Sequence, residues 1–232
     1  MSRKKPRKWG LALFLILVMA GGVFYLAEVL PEQGSNQVVD DPESIAVFVS
    51  KANMLPDGYE PPDLSLCDVP GVREIEKRES MLRKEAARAL EQMFAAARDE
   101  EGYTLYMISG YRSYEHQTGT YNSVKKARGE EYANQFIAVP GHSEHQTGLA
   151  MDITNIDHMD DDHEKQLGTM PEGIWLRENA HRFGFILRYP EGKEDITGYS
   201  YEPWHFRYVG VDLATEIYTK GITLDEYMQS VQ

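Results

Sequence analysis

Two stretches of this chain carry the residue types of a hydrolytic metal site. Ser143-Glu144-His145-Gln146-Thr147-Gly148-Leu149-Ala150-Met151-Asp152 is the first, and Glu202-Pro203-Trp204-His205 is the second. If they converge, His145, Asp152 and His205 supply three ligands to a zinc ion and leave one position open for water. Zinc lowers the pKa of a bound water to about 7, and a nearby carboxylate can then take its proton. Glu202, three residues before His205, is the candidate base.

Each member has a plainer alternative. A lone histidine is more often structural than metal-bound. Asp152, however, sits among Leu149, Ala150, Met151 and Ile153. A carboxylate in such a run is costly unless it is paired with a cation, through a metal or a salt bridge. His205 lies between Trp204 and Phe206, another apolar setting that calls for a partner. Pro203 excludes a regular helix there, so the HExxH geometry does not apply, and Glu202 is expected in a loop or at a strand start. A third stretch, Ser109-Gly110-Tyr111-Arg112-Ser113, places a guanidinium near the same chemistry. Its planar fork suits a substrate carboxylate or a developing oxyanion, and the alternative is a surface pair with Glu115. The acidic segment from Asp157 to Lys165 includes His158 and His163, but its spacing is not that of an EF-hand, and it is expected to be a solvated loop. The single cysteine, Cys67, cannot form an internal disulfide and has no histidine near it in sequence to activate it as a nucleophile.

The pattern S-x-H-x-x-G-x-A-x-D, followed by E-P-W-H and preceded by S-G-Y-R-S, resembles the zinc D-alanyl-D-alanine carboxypeptidase family, which includes VanY enzymes and related peptidoglycan D,D- and L,D-carboxypeptidases. The similarity runs from about Val47 to Val209 and takes in Leu55-Pro56 and Tyr59-x-Pro61. The resemblance implies one zinc ion held by His145, Asp152 and His205, with Glu202 as base and Arg112 as a catalytic group. It implies substrate contacts from Ser143, Gln117 and Trp204, and Tyr111 is expected in the pocket wall or in the core. It also implies a compact α+β fold shared with hedgehog-type domains. The implied activity is removal of the C-terminal D-alanine from peptidoglycan stem peptides. L,D-carboxypeptidase or endopeptidase action, or an inactive wall-binding module, are the alternatives.

These groups must be positioned by irregularly alternating helices and strands, which predicts an α+β domain with a mainly antiparallel sheet flanked by helices. Ile75, Leu82, Ala86, Leu90, Met93 and Ala97 recur at helical spacing, predicting an amphipathic helix over 72–98 that Gly102 ends. Strands are expected over 103–108, 149–154, 185–189 and 204–209. Further helices are expected from Ser113 to about Ala127, over 131–136, and over 171–183 with Pro171 at the start and Gly184 past the end. Thr223 and Glu226 form a capping-box pattern for a final helix. Residues 45–64 are expected to be irregular.

Arg3, Lys4, Lys5, Arg7 and Lys8 precede an uncharged run from Trp9 to Ala27. As a helix this run spans about 28 Å, near the thickness of a bilayer core. It predicts a membrane anchor over 9–27, with residues 1–8 cytoplasmic, a polar stalk over 28–43 and an extracytoplasmic domain over 44–232. Cleavage near Met19-Ala20-Gly21-Gly22 is the alternative. All 37 acidic residues lie at or beyond Glu28, against 19 of the 24 cations, a net of −18 there. Such a surface repels nucleic acid and anionic lipid.

Overall fold

The computed structural model describes residues 37–231, all within one compact unit. The expected cytoplasmic segment, the membrane helix and the first part of the stalk lie outside the described residues. Among the described residues no helix is long and apolar enough to cross a membrane. The stalk is described only from Gln37, and there the chain is already docked. β1 (Gln37–Val38) pairs in parallel with β2 (Asn53–Met54), and Tyr59 donates its hydroxyl to the Pro42 carbonyl at 2.8 Å.

The next elements differ from the helix expected over 72–98. β3 (Leu64–Leu66) pairs antiparallel with β4 (Met81–Arg83), and α1 starts only at Lys84 (Lys84–Glu101). Ile75 and Leu82 have helical spacing relative to Leu90, but 72–80 is tied down elsewhere. Val72 N–H donates to the Met107 carbonyl and Arg73 N–H to the Asp157 carbonyl. Those long-range bonds outweigh a periodicity carried by only two residues. The far end of the helix is as expected: Gly102 adopts φ +75°, and its N–H donates to Ala97 and Arg98.

The central sheet has the order β5-β6-β8-β7, antiparallel throughout. β5 (Tyr106–Ser109) leads to α2 (Tyr114–Arg128) and α3 (Glu130–Phe136), and a 3-10 turn over Glu144–Thr147 precedes β6 (Ala150–Thr154). The acidic segment is not simply a loop: Asp160 caps α4 (Asp161–Gln166) by accepting the N–H groups of Asp162 and His163. α5 (Pro171–Asn179) runs into a 3-10 turn that Gly184 closes, then β7 (Phe185–Leu187), α6 (Glu194–Thr197) and β8 (His205–Tyr208). α7 (Val211–Lys220) and α8 (Leu224–Val231) complete the domain. The capping box forms, with Thr223 Oγ1 accepting Glu226 N–H and Glu226 Oε2 accepting Thr223 N–H.

The sheet sorts its two faces by the period of two along each strand. Met151, Ile153, Phe206 and Tyr208 point into the main core with Leu82, Leu90 and Met93 of the β4–α1 segment. Asp152, His205 and Arg207 take the alternate positions, so the opposite face is polar although it is buried. That face is the floor of the site.

Gly110 joins β5 to this floor through a close approach that leaves no room for a side chain. A Cβ there would collide with the Met107 methyl and stand 2.7 Å from the Met81 carbonyl oxygen and 2.8 Å from that of Glu79. Gly110→Ala is therefore expected to destabilise the domain by about 1–3 kcal/mol. The check is a lower midpoint in urea unfolding with an unchanged slope.

Candidate active site

Strand register brings the metal-ligand candidates together. In the antiparallel pair of β6 and β8, Asp152 stands directly opposite His205. The neighbouring Ile153 N–H donates to the Trp204 carbonyl at 3.0 Å, which continues the pairing past the strand end. Side chains opposite one another on an antiparallel pair are within contact distance, and His205 Nδ1 lies 3.0 Å from Asp152 Oδ1. The 3-10 turn before β6 swings His145 over the same strand, with its Nε2 3.3 Å from Asp152 Oδ2. Gly148 ends the turn in the left-handed region, at φ +65°. One donor atom from each of His145, Asp152 and His205 lies within 4.8 Å of the others.

The ring orientations fit a metal. His145 Nδ1 is 2.7 Å from the Gly110 carbonyl, an acceptor only, so this nitrogen carries the proton and the Nε2 lone pair faces inward. His205 turns Nδ1 inward and Nε2 toward Glu144 Oε2, 3.5 Å away. Two imidazoles and a carboxylate, with their lone pairs converging, form a donor set suited to zinc. His158 and His163 do not join such a set: His158 sits beside Asp157 at the surface, and His163 Nε2 bonds Asn155 Oδ1.

The electrostatics follow from burial. Burial by itself lowers the pKa of His205, but its bonds to Asp152 and Glu144 reverse this and raise it to about 10. For Asp152, burial would raise the pKa, and the two histidines hold it well below the carboxylate range instead. Glu202 sits in the loop before β8, with its N–H donating to the Tyr189 carbonyl and its Oε2 3.9 Å from His205 Nδ1. Burial pushes the Glu202 carboxyl up to about 7; His205 opposes this, and the Asp152 and Glu144 charges add to it.

Arg112 follows β5 and points into the same cleft of about 230 Å³. Ser109 Oγ and Gln117 Oε1 accept from its guanidinium at 3.1 and 3.2 Å, while Glu115 is exposed. Gln117 is buried and donates to the Ala138 carbonyl, so it braces Arg112 as well as lining the cleft. Ser143 and Trp204 also line it. Tyr111 does not: it is buried in the core, and the Arg78 guanidinium covers its ring at 5.2 Å. Its place on the chain next to Arg112 is no guide to its direction, because successive residues leaving a strand diverge.

Sequence reasoning overlooked Glu144, Tyr189, Tyr199 and His142. Tyr189 packs between His205 and Tyr199 with tilted rings, the centroids 5.0 and 4.7 Å away. His142 Nδ1 donates to the Ser50 carbonyl at 2.8 Å. The signal available for Glu144 was the pair of arginines in apolar strands, Arg188 and Arg207, which need a buried counter-charge.

Comparison with known proteins agrees with this geometry. The family model described as VanY, D-alanyl-D-alanine carboxypeptidase, matches residues 79–211. The YodJ protein of Bacillus subtilis (strain 168) is 45% identical over 196 residues, 84% of this chain and 71% of its own length. Among solved structures, the LdcB LD-carboxypeptidase is 44% identical with a TM-score of 0.77, covering 83% of this chain and 89% of that one. A mutant of the vancomycin-resistance D,D-pentapeptidase VanY from a VanB-type cassette, in complex with Zn(II), is 33% identical with a TM-score of 0.61, covering 81% and 99%. The family match extends from before β4 to the start of α7 and contains every ligand candidate, so the chain belongs to the VanY D-alanyl-D-alanine carboxypeptidase family.

Proposed function

We propose that this chain is a zinc carboxypeptidase that releases the C-terminal D-alanine of peptidoglycan stem peptides. The observation that carries the reading is the convergence of His145, Asp152 and His205 within 4.8 Å, with Glu202 beside them and Arg112 in the same cleft. A zinc ion held by those three side chains would polarise the scissile carbonyl and acidify water.

The chain's own groups supply the rest. Glu202, with a carboxyl pKa near neutral, is suited to accept the proton from the attacking water as the carbonyl carbon is attacked. The same carboxyl then delivers that proton to the amide nitrogen, so that D-alanine leaves as a neutral amine. Arg112 is held rigidly by Ser109 and Gln117 and is always charged, so it is pre-organised to pair with the terminal carboxylate or the developing oxyanion. Tyr189, Tyr199 and Trp204 supply aromatic walls to the cleft.

The likeness to the LD-carboxypeptidase LdcB is greater in identity and TM-score than that to VanY. This favours, as a second reading, a tetrapeptide stem in which D-alanine follows an L-centre. The anchor read from Trp9 to Ala27 supports placing the domain on the outer face of a bacterial membrane, where such stems are found.

Chelation should abolish D-alanine release and added zinc restore it; mass spectrometry of defined tetrapeptide and pentapeptide stems then reports which bond is cut. Activity that survives complete zinc removal overturns the reading. Glu202→Ala is expected to keep one zinc per chain while kcat falls about 10²–10⁴-fold. Arg112→Ala should cost about 10²–10³-fold in kcat/KM, the scale of a lost transition-state donor, and substrates amidated at the C-terminus should lose the difference if Arg112 binds the carboxylate.

A further inference from the structure

Glu144 is the most deeply committed charge near the site. It is 2% exposed, and its two oxygens are used differently. Oε1 accepts from both Arg188 Nε at 2.8 Å and Arg207 Nη1 at 2.9 Å. Oε2 faces His205 Nε2 at 3.5 Å. A carboxylate present only to neutralise two arginines would spread its oxygens over both; here one oxygen takes both guanidiniums and the other is left for the imidazole.

The arginines are themselves fixed. Arg188 Nη1 donates to Asp225 of α8, and Arg207 Nη2 donates to the Val47 carbonyl at 2.6 Å. Two arginines against Glu144 and Asp225 leave the cluster neutral, so its charges are balanced without His205. The imidazole is therefore bound by Glu144 as a hydrogen-bond donor, and its tautomer follows. Nε2 must carry the hydrogen, so when a metal ion takes the place of a proton on this ring, Nδ1 is the nitrogen presented to it, toward Asp152 and His145. The ring beside it is oriented the opposite way, with Nδ1–H on the Gly110 carbonyl.

We propose that Glu144 is a positioning residue for the metal centre, holding His205 as the Nε2–H tautomer so that Nδ1 is presented to the ion. The buried arginine cluster is the mount that keeps this carboxylate still, and it couples the metal ligand to the C-terminal helix. The inference rests on the zinc reading above. Partners of this kind typically tune metal affinity by about 10–100-fold.

The test has a part that needs no variant. Long-range proton–nitrogen NMR of the zinc-loaded full chain should show His205 protonated at Nε2 and metal-bound at Nδ1, with His145 reversed. Metal on His205 Nε2 overturns the proposal. Zinc affinity by chelator competition supplies the second readout. Glu144→Ala is expected to bind zinc about 10–100-fold more weakly, and Glu144→Gln, which keeps an acceptor oxygen, should recover most of that loss. Leu90→Ala, a truncation in the core on the opposite face of the sheet, should lower stability yet leave zinc affinity within about twofold. Unchanged affinity in a folded Glu144 variant, or an equal loss in Leu90→Ala, overturns the proposal. If Glu144→Ala does not fold, the Gln variant and the NMR tautomer decide. Failure of the wild-type chain to bind zinc would instead sink the functional reading.

Discussion

The site depends on one register. Asp152 of β6 faces His205 of β8, and this strand pairing holds residues 53 positions apart in contact. A slip of one residue would move His205 into the core and bring Phe206 or Trp204 to the polar face. The register is pinned from both sides. Met151, Ile153, Phe206 and Tyr208 bury apolar surface against α1, and on the other face Asp152 pairs with His205 while Arg207 pairs with Glu144. Either misplacement would bury charge without a partner, which costs several kcal/mol per group. The sheet thus specifies the site through ordinary packing.

The second constraint is charge. The floor beneath the cleft contains Glu144, Arg188, Arg207 and Asp225, all almost wholly buried. Such clusters seldom add net stability over apolar residues of the same size, but they do fix geometry. Burial would raise the Glu144 pKa, yet the Arg188 and Arg207 guanidiniums hold it far below, so its charge persists over the whole physiological range. Glu202, near His205 Nδ1, feels the Arg188 charge only as a minor opposing influence, and burial lifts it instead. The same residue type on opposite sides of one imidazole is thereby given opposite tasks: a permanently charged acceptor below and a group near neutral pKa above.

Much of this was legible in the sequence, for identifiable reasons. Asp152 in an apolar strand, His205 between aromatics and Arg112 after a strand each broke the local pattern, and each break marks a group with a partner elsewhere. Helix ends written in glycine and serine, at Gly102, Ser113 and Gly184, also came through, because their chemistry is local. The start of α1 did not. Residues 72–80 have helix-like spacing but are held by backbone bonds to Met107 and Asp157, partners that no local window contains. α4 was obscured by its charge, since acidic residues suit a loop and a helix N-terminus equally. Tyr111 stayed open between pocket wall and core, because adjacency to Arg112 says nothing of which way each side chain leaves the strand.

Glu144 was missed for a deeper reason. It lies within the very stretch that drew attention, one residue before a ligand candidate, where an exposed turn carboxylate is the ordinary expectation. Its role is visible only once Arg188 and Arg207, 44 and 63 positions away, are seen to converge on it. The arginines were the readable half: two guanidiniums in the apolar strand sequences Ile-Leu-Arg-Tyr and His-Phe-Arg-Tyr demand a buried anion. Pairing unmatched charges of opposite sign before assigning any of them to the surface would have found the carboxylate, and with it the support beneath His205.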